Sequence, residues 1–360
     1  MQMNLDDVKA ALSALQDPVA GVALGRAVKS LSLQDGRAQA VIELSYPAAS
    51  ADAQLRQAVE AFLLQQPGVN EVALTVQSKI VPHGVQRGLK PLPQVKNIIA
   101  IASGKGGVGK STTCVNLALA LAALGARVGI LDADIYGPSQ PMMTGIAGQP
   151  ESRDGQSMEP MQNYGLQVAS IGFLIKPEDA MVWRGPMVTQ ALQQLLLQTN
   201  WQDLDYLLVD MPPGTGDIQL TLSQKVPLTG AVIVTTPQDI ALADALRGLK
   251  MFEKVGVPIL GIIENMSMHI CSNCGHHEAI FGEGGAQKMC QQHGIEFLGG
   301  LPLRRSIREQ ADAGKPSVIA EPDGDVAQIY RRLALQLAVK LGQQSKDMSS
   351  KFPNIVVKHD

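Results

Sequence analysis

The sequence predicts an α/β fold in which a mostly parallel sheet is flanked by helices and preceded by a small N-terminal α+β domain. Three observations carry this. From residue 97 onward, short continuous apolar runs recur at 97–102, 127–131, 167–171, 206–209, 231–235, 258–263 and 296–299. Runs of that kind, alternating with helix-length segments, mark strands buried on both faces of a parallel sheet. A glycine-rich turn separates the first run from a helix-length apolar segment at 112–124. Before residue 80 the pattern differs, with two strand-like runs joined by a hairpin signal and then an amphipathic helix.

Taken in order, 5–15 reads as a helix, and 28–32 and 38–44 read as strands joined through Asp35-Gly36. The segment 53–65 places Leu55, Val59, Phe62 and Leu63 on one helical face, Gly68 ends it, and 71–77 alternates as a strand. Residues 1–80 therefore form one compact domain, without cysteine or an evident catalytic cluster. Prolines, glycines and weak periodicity make 81–96 a linker. The second domain is expected over 97–342. Its helix at 112–124 is apolar nearly all round, hence buried, with Gly125 as C-cap, and its last helix, 325–341, has an apolar face for docking on the sheet. A polar tail covers 343–360.

The chain has 360 residues, 45% of them hydrophobic, enough for a large core and two domains. A formal net charge of -3 gives no global reason to expect nucleic acid or an anionic membrane as partner, and aromatics at 4% leave few base-stacking platforms. No secretory signal pattern or membrane-length apolar run is present, so a cytoplasmic location is expected. Four cysteines in such a chain point to reduced thiols or metal ligands.

The turn itself reads Gly104-Lys105-Gly106-Gly107-Val108-Gly109-Lys110-Ser111, which satisfies G-x-x-x-x-G-K-[ST] and is followed by Thr112. Glycines let the backbone wrap a triphosphate, and the first N–H groups of the following helix point at the anion. The sequence thus predicts a P-loop that binds ATP. Lys110 would pair with the β and γ phosphates and Ser111 would ligate Mg²⁺. The strand at 206–209 runs into Asp210, placed to hold a Mg²⁺ water, and Gly214 in the following turn can offer an N–H to the γ-phosphate. A second strand ends at Asp132-Ala133-Asp134, where a carboxylate can orient the attacking water or simply cap a turn. Lys105 adds a second cation near the phosphates.

A second constellation follows the strand at 258–263. Cys271-Ser272-Asn273-Cys274, beside Gly275, His276 and His277, has the spacing that brings two thiolates onto one metal. The missing ligands have two sources. Cys290 and His293, one helical turn apart, could close a zinc site within the chain. Alternatively, two chains could each present Cys271 and Cys274 at a two-fold axis, giving the four thiolates of an iron-sulfur cluster. A redox dithiol is the remaining reading.

The K-G-G-x-G-K-[ST] loop resembles that of the MinD/ParA-like deviant Walker A ATPases. The resemblance implies an ATP-bound homodimer in which Lys105 reaches the partner's nucleotide, Asp134 positions the water, and Asn265 contacts the adenine. More widely, L-D-A-D-I-Y-G-P-S at 131–139, V-W-R-G-P-M at 182–187, D-M-P-P-G-T-G-D at 210–217 and E-N-M-S before the CxxC resemble the Mrp/ApbC family of iron-sulfur cluster carrier ATPases. That likeness covers nearly the whole chain, and the first domain resembles the MIP18-type module fused to such carriers. It implies a labile [4Fe-4S] cluster held between subunits by Cys271 and Cys274, received from a cluster donor and passed to apo iron-sulfur proteins. Neither Cys114 nor Cys290 belongs to the motif, and Cys114 reads as core. The competing reading is a positioning ATPase with a structural zinc site, which predicts a basic surface or a terminal amphipathic anchor, and the sequence displays neither.

Overall fold

The computed structural model describes residues 4–49, 52–175, 185–271 and 273–344. Residues 182–184 of the V-W-R-G-P-M segment, and the tail beyond 344, lie outside the described residues.

The N-terminal domain consists of α1 (Leu5–Ala14), β1 (Val28–Gln34), β2 (Arg37–Leu44), α2 (Asp52–Leu64) and β3 (Glu71–Ser78). Its three strands lie in the order β1-β2-β3, antiparallel then parallel, so α2 is the crossover that the parallel pair requires. Asp35 and Gly36 adopt φ 49° and 78° between the paired Gln34 and Arg37. Two left-handed residues in a row match the twist of the hairpin, and Asp-Gly tolerates them best. Leu55, Val59 and Leu63 of α2 share a core with Ala38, Ala40 and Ile42 of β2.

The larger unit continues with β4 (Val95–Ala102), α3 (Lys110–Ala123), β5 (Val128–Asp132), α4 (Gln140–Met143), β6 (Met161–Asn163), β7 (Leu166–Ser170) and α5 (Gly185–Gln198). Then come β8 (Leu204–Asp210), α6 (Asp217–Lys225), β9 (Gly230–Thr235), α7 (Asp239–Lys254), β10 (Ile259–Ile270), β11 (His277–Glu278) and α8 (Gly285–His293). The last elements are β12 (Phe297–Leu303), α9 (Arg305–Asp312), α10 (Ser317–Ala320) and α11 (Asp325–Gly342).

The strands order as β11-β10-β9-β4-β8-β5-β7-β6, with β12 also on β10. Only β6 and β11 run antiparallel to their neighbours. Alternation along β4 shows the layering: Ile99 and Ile101 join the core with α3 and α11, whereas Ile98, Ala100 and Ala102 join the opposite core with α5. Because β4, β5, β8, β9 and β10 run the same way, their C-terminal ends open on one edge, where ligands of such sheets bind. The last helix docks as expected, burying Val326, Tyr330, Leu333, Leu337 and Leu341. Among the described residues no helix is long and apolar enough to cross a membrane.

Two segments differ from their sequence reading. The strand expected at 258–263 continues to Ile270, because its polar second half acquires partners on both sides: Met268 and His269 pair with β12, and His269 and Ile270 pair with β11. The linker is tied down: the His83 N–H donates to Asn97 Oδ1 (3.2 Å), Gln86 Nε2 donates to the Ser223 carbonyl (2.8 Å), and Val95 and Lys96 already belong to β4. The N-terminal domain rests on the larger unit, with the Ala49 N–H donating to the Leu124 carbonyl at 3.1 Å.

Candidate nucleotide site and thiol hairpin

The P-loop fills the turn between β4 and α3. Glycine at 104 is required by a close approach, since a Cβ there would lie 2.2 Å from the backbone carbonyl carbon of Asp244 in α7. Glycine at 109 is required twice: φ is 81°, and a Cβ would meet Asn265 Nδ2 at 2.2 Å. Gly109 caps α3 without any side-chain hydrogen bond, so the first-turn N–H groups of α3, from Lys110, Ser111 and Thr112, remain available to an anion. Asn265 belongs to this loop, donating from Nδ2 to the Val108 carbonyl at 2.8 Å and accepting the Met266 N–H on Oδ1 at 2.9 Å. Lys105 is half-buried; its carbonyl accepts from Ser103 Oγ (2.9 Å), and its ammonium has no ion-pair partner among the described residues.

Behind the loop lies a buried charge cluster. Lys110 Nζ forms an ion pair with Asp210 Oδ1 and lies 3.1 Å from Ser111 Oγ. Asp132 and Asp210 are register partners at the ends of β5 and β8, and both are fully buried. Asp132 accepts the Ser139, Gln140 and Asp134 N–H groups (3.0, 3.1 and 3.2 Å) and the Ser170 hydroxyl (3.1 Å), so it clamps the D-A-D-I-Y-G-P-S loop. Burial pushes its carboxyl up to about 7, with the Asp210 charge adding to the effect against those donors. Burial works against the Lys110 ammonium, yet Asp210 prevails and holds it above its ordinary range. Asp134 is half-buried, and burial raises its carboxyl despite Lys110 nearby. It lines a 430 Å³ cavity with Tyr136, Pro212, Pro213, Asp217 and Gln219.

The Gly214 N–H donates to the Ser103 carbonyl at 3.1 Å, closing its turn onto the end of β4. Gln140, whose Nε2 donates to Asp210 Oδ2 (2.8 Å) and to the Ser111 carbonyl (3.2 Å), was not foreseen. No sequence signal marks it, since its contacts lie 70 and 29 positions away. The donor set, a hydroxyl and a carboxylate beside an anion cradle with no soft ligand, fits a magnesium nucleotide.

The two thiols occupy the turn of the β10–β11 hairpin. The Cys271 N–H donates to the His276 carbonyl and the Gly275 N–H to the Cys271 carbonyl, both at 2.9 Å, with Gly275 at φ 71°. Cys274 is exposed and Cys271 half-exposed. The Cys271 thiol is held below its ordinary range by the backbone N–H groups of Cys274 and Asn273, which favour its thiolate. Cys290 is elsewhere: it is buried in α8 and donates to the Glu296 carbonyl at 3.7 Å. Among the described residues no three His, Cys, Asp or Glu side chains gather to hold a metal. Cys114 lies fully buried in α3, as core.

A parallel sheet whose central strand feeds a phosphate-binding loop, with acidic ends on β8 beside it and on β5 one strand further, defines a P-loop NTPase. Residues 94–338 match the family model described as NUBPL iron-transfer P-loop NTPase, and residues 5–74 match one described as iron-sulfur cluster assembly protein. The chain belongs to that family of iron-transfer P-loop NTPases. It is 59% identical over 270 residues to an iron-sulfur cluster carrier protein of Pseudomonas fragi, covering 74% of this chain and 94% of the relative. It is 55% identical over 298 residues to the iron-sulfur cluster carrier protein of Escherichia coli strain K12, covering 82% and 81%. The iron-sulfur cluster transfer protein NUBPL of Mus musculus is 50% identical over 267 residues, covering 74% and 83%. Among solved structures, a nucleotide-binding protein of Archaeoglobus fulgidus in complex with ADP superposes with TM-score 0.56 at 38% identity, over 64% of this chain and 90% of that one. The Pyrococcus furiosus cell division ATPase MinD, at 22% identity and TM-score 0.51 over 67% and 98%, shares the fold.

Proposed function

We propose that this protein is a cytoplasmic homodimer that binds and hydrolyses ATP, accepts a [4Fe-4S] cluster on Cys271 and Cys274 of two copies, and passes it to apo iron-sulfur proteins. Two sulfurs on one hairpin turn, Cys274 exposed and Cys271 half-exposed and favouring the thiolate, offer half a ligand set, and a second copy supplies the other half. Exposure suits cargo that must leave.

At the nucleotide site Lys110 turns from Asp210 to the β and γ phosphates, and the loop N–H groups hold the phosphate oxygens. Ser111 and, through a water, Asp210 would hold magnesium, which would supply charge to offset that developing on the transferred phosphoryl group. Asp134 orients the attacking water, Lys105 of the second copy adds a cation, and Asn265 meets the adenine.

The observation that carries the reading is one strand. Asn265 touches the P-loop and Cys271 directly follows the last residue of the same β10, so a shift of the loop reaches the thiols through at most about 20 Å of chain. Anaerobic reconstitution of wild type and of Cys271→Ser tests it, with iron, sulfide, zinc and visible absorption measured on both. Four irons per dimer, lost in the variant, support the proposal; one zinc per chain, lost on Cys290→Ala, defeats it.

A further inference from the structure

We propose that Gln140 is a positioning residue for the magnesium site: its amide N–H₂ holds Asp210 in place while its carbonyl accepts a hydrogen bond from a water in the metal's shell. The inference rests on the reading of the P-loop as a magnesium-nucleotide site.

Gln140 is fully buried at the first position of α4. Its backbone is fixed independently of its side chain, by the N–H donated to Asp132 Oδ2 (3.1 Å) and by the carbonyl that accepts from Thr144 Oγ1 (2.6 Å). The side chain reaches back between strand end and P-loop. Both groups that Nε2 meets, Asp210 Oδ2 and the Ser111 carbonyl, are acceptors only. That leaves one orientation of the amide, since the flipped one would set an oxygen against a carboxylate.

The other amide atom is then the informative one. Gln140 Oε1 is buried and has no hydrogen-bond partner among the described residues. Buried acceptors are kept unpaired rarely, and usually where a ligand or water completes them. The neighbours here are Ser111, whose hydroxyl would ligate magnesium, and Asp210, whose carboxylate would hold a water of the metal. If Lys110 leaves Asp210 for the phosphates, the carboxylate loses its Oδ1 partner. Gln140 would still hold Oδ2, leaving Oδ1 free to accept from that water. Groups that orient a ligand in this way set metal affinity without touching the metal.

The test uses the full chain with Gln140→Met, which keeps length and volume and removes both hydrogen-bonding atoms. Met142→Ala, which alters an exposed side chain of the same helix, serves as the control. Mn²⁺ binding to the ADP complex is followed by electron paramagnetic resonance, and fluorescent ADP binding is measured in EDTA. In Gln140→Met the half-saturating Mn²⁺ concentration should rise about ten-fold or more, while metal-free nucleotide affinity and the Met142→Ala protein stay near wild type. Unchanged Mn²⁺ binding in Gln140→Met, or parallel loss of metal and metal-free nucleotide binding, overturns the positioning role alone. A wild-type protein that takes up no Mn²⁺ with nucleotide overturns that role together with the site reading beneath it.

Discussion

Asp132 and Asp210 face each other as register partners on adjacent parallel strands, fully buried, with one ammonium, that of Lys110, paired to Asp210. Two carboxylates and one cation in a dry site leave an excess negative charge, which the cluster relieves by holding a proton on Asp132 near neutrality. In the proposed role of Lys110, a phosphate arriving on the loop would draw it away from Asp210 and disturb that balance, linking proton uptake to nucleotide binding at this point in the fold.

The first prediction is a pH dependence. With its carboxyl pushed up to about 7 by burial and by Asp210, Asp132 binds a proton in the folded chain that it releases near 3.8 when unfolded. A group raised in this way contributes stability that is complete below the unfolded value and lost as pH climbs through the folded one. The difference in unfolding free energy between wild type and Asp132→Asn should therefore fall from pH 4 to 7, by up to about 1.4 kcal/mol per pH unit. Urea titrations of both proteins at half-unit pH steps, without nucleotide, check it; a flat difference would disprove the raised carboxyl.

Removing the ammonium should cost more. Lys110→Met strands Asp210 beside Asp132, and losing one member of a buried pair destabilises by about 3–5 kcal/mol. Restoring neutrality with Asp210→Asn in the same chain should recover much of it, whereas ATP turnover stays absent in both. Urea midpoints and phosphate release on the three proteins separate the two roles.

The P-loop and both acidic strand ends were legible because their meaning is local: glycines before a helix, apolar runs that end on Asp. Helix and strand positions followed from periodicity for the same reason. What escaped was long-range and polar. β10 reads as ending at Ile263 because Glu264 to His269 lack an apolar alternation, and pairing of Met268 and His269 with β12 and of His269 and Ile270 with β11 carries the strand on past the left-handed Met266. Gln86, in a stretch that reads as a free linker, has its hydrogen bonds 137 and 140 residues away.

Gly109 and Asn265 should couple energetically. Gly109→Ala sets a methyl 2.2 Å from Asn265 Nδ2 at φ 81°, so it carries both a clash and a left-handed strain. The strain alone is worth about 1 kcal/mol, and displacement of Asn265 from the Val108 carbonyl adds to it. Nucleotide affinity should drop in Gly109→Ala, and in an Asn265→Ala background the same substitution should cost clearly less. A double-mutant cycle on ADP binding measures the coupling, expected at about 1 kcal/mol or more.

The thiols should differ in reactivity as their surroundings differ. At Cys271 the N–H groups of Cys274 and Asn273 favour the thiolate, whereas burial, with Glu264 and Glu296 behind it, pushes Cys290 up to about 11. Since the thiolate is the nucleophile, cluster-free protein treated with iodoacetamide should lose Cys271 with a midpoint below that of an ordinary thiol, while Cys290 stays unmodified in the folded chain. Gly275→Ala, which strains the left-handed residue at φ 71° that closes the turn, should loosen those N–H groups and move the Cys271 midpoint upward. Peptide mass spectrometry across pH resolves each cysteine. Equal midpoints for Cys271 in wild type and Gly275→Ala would mean that the turn does not set the thiol's acidity.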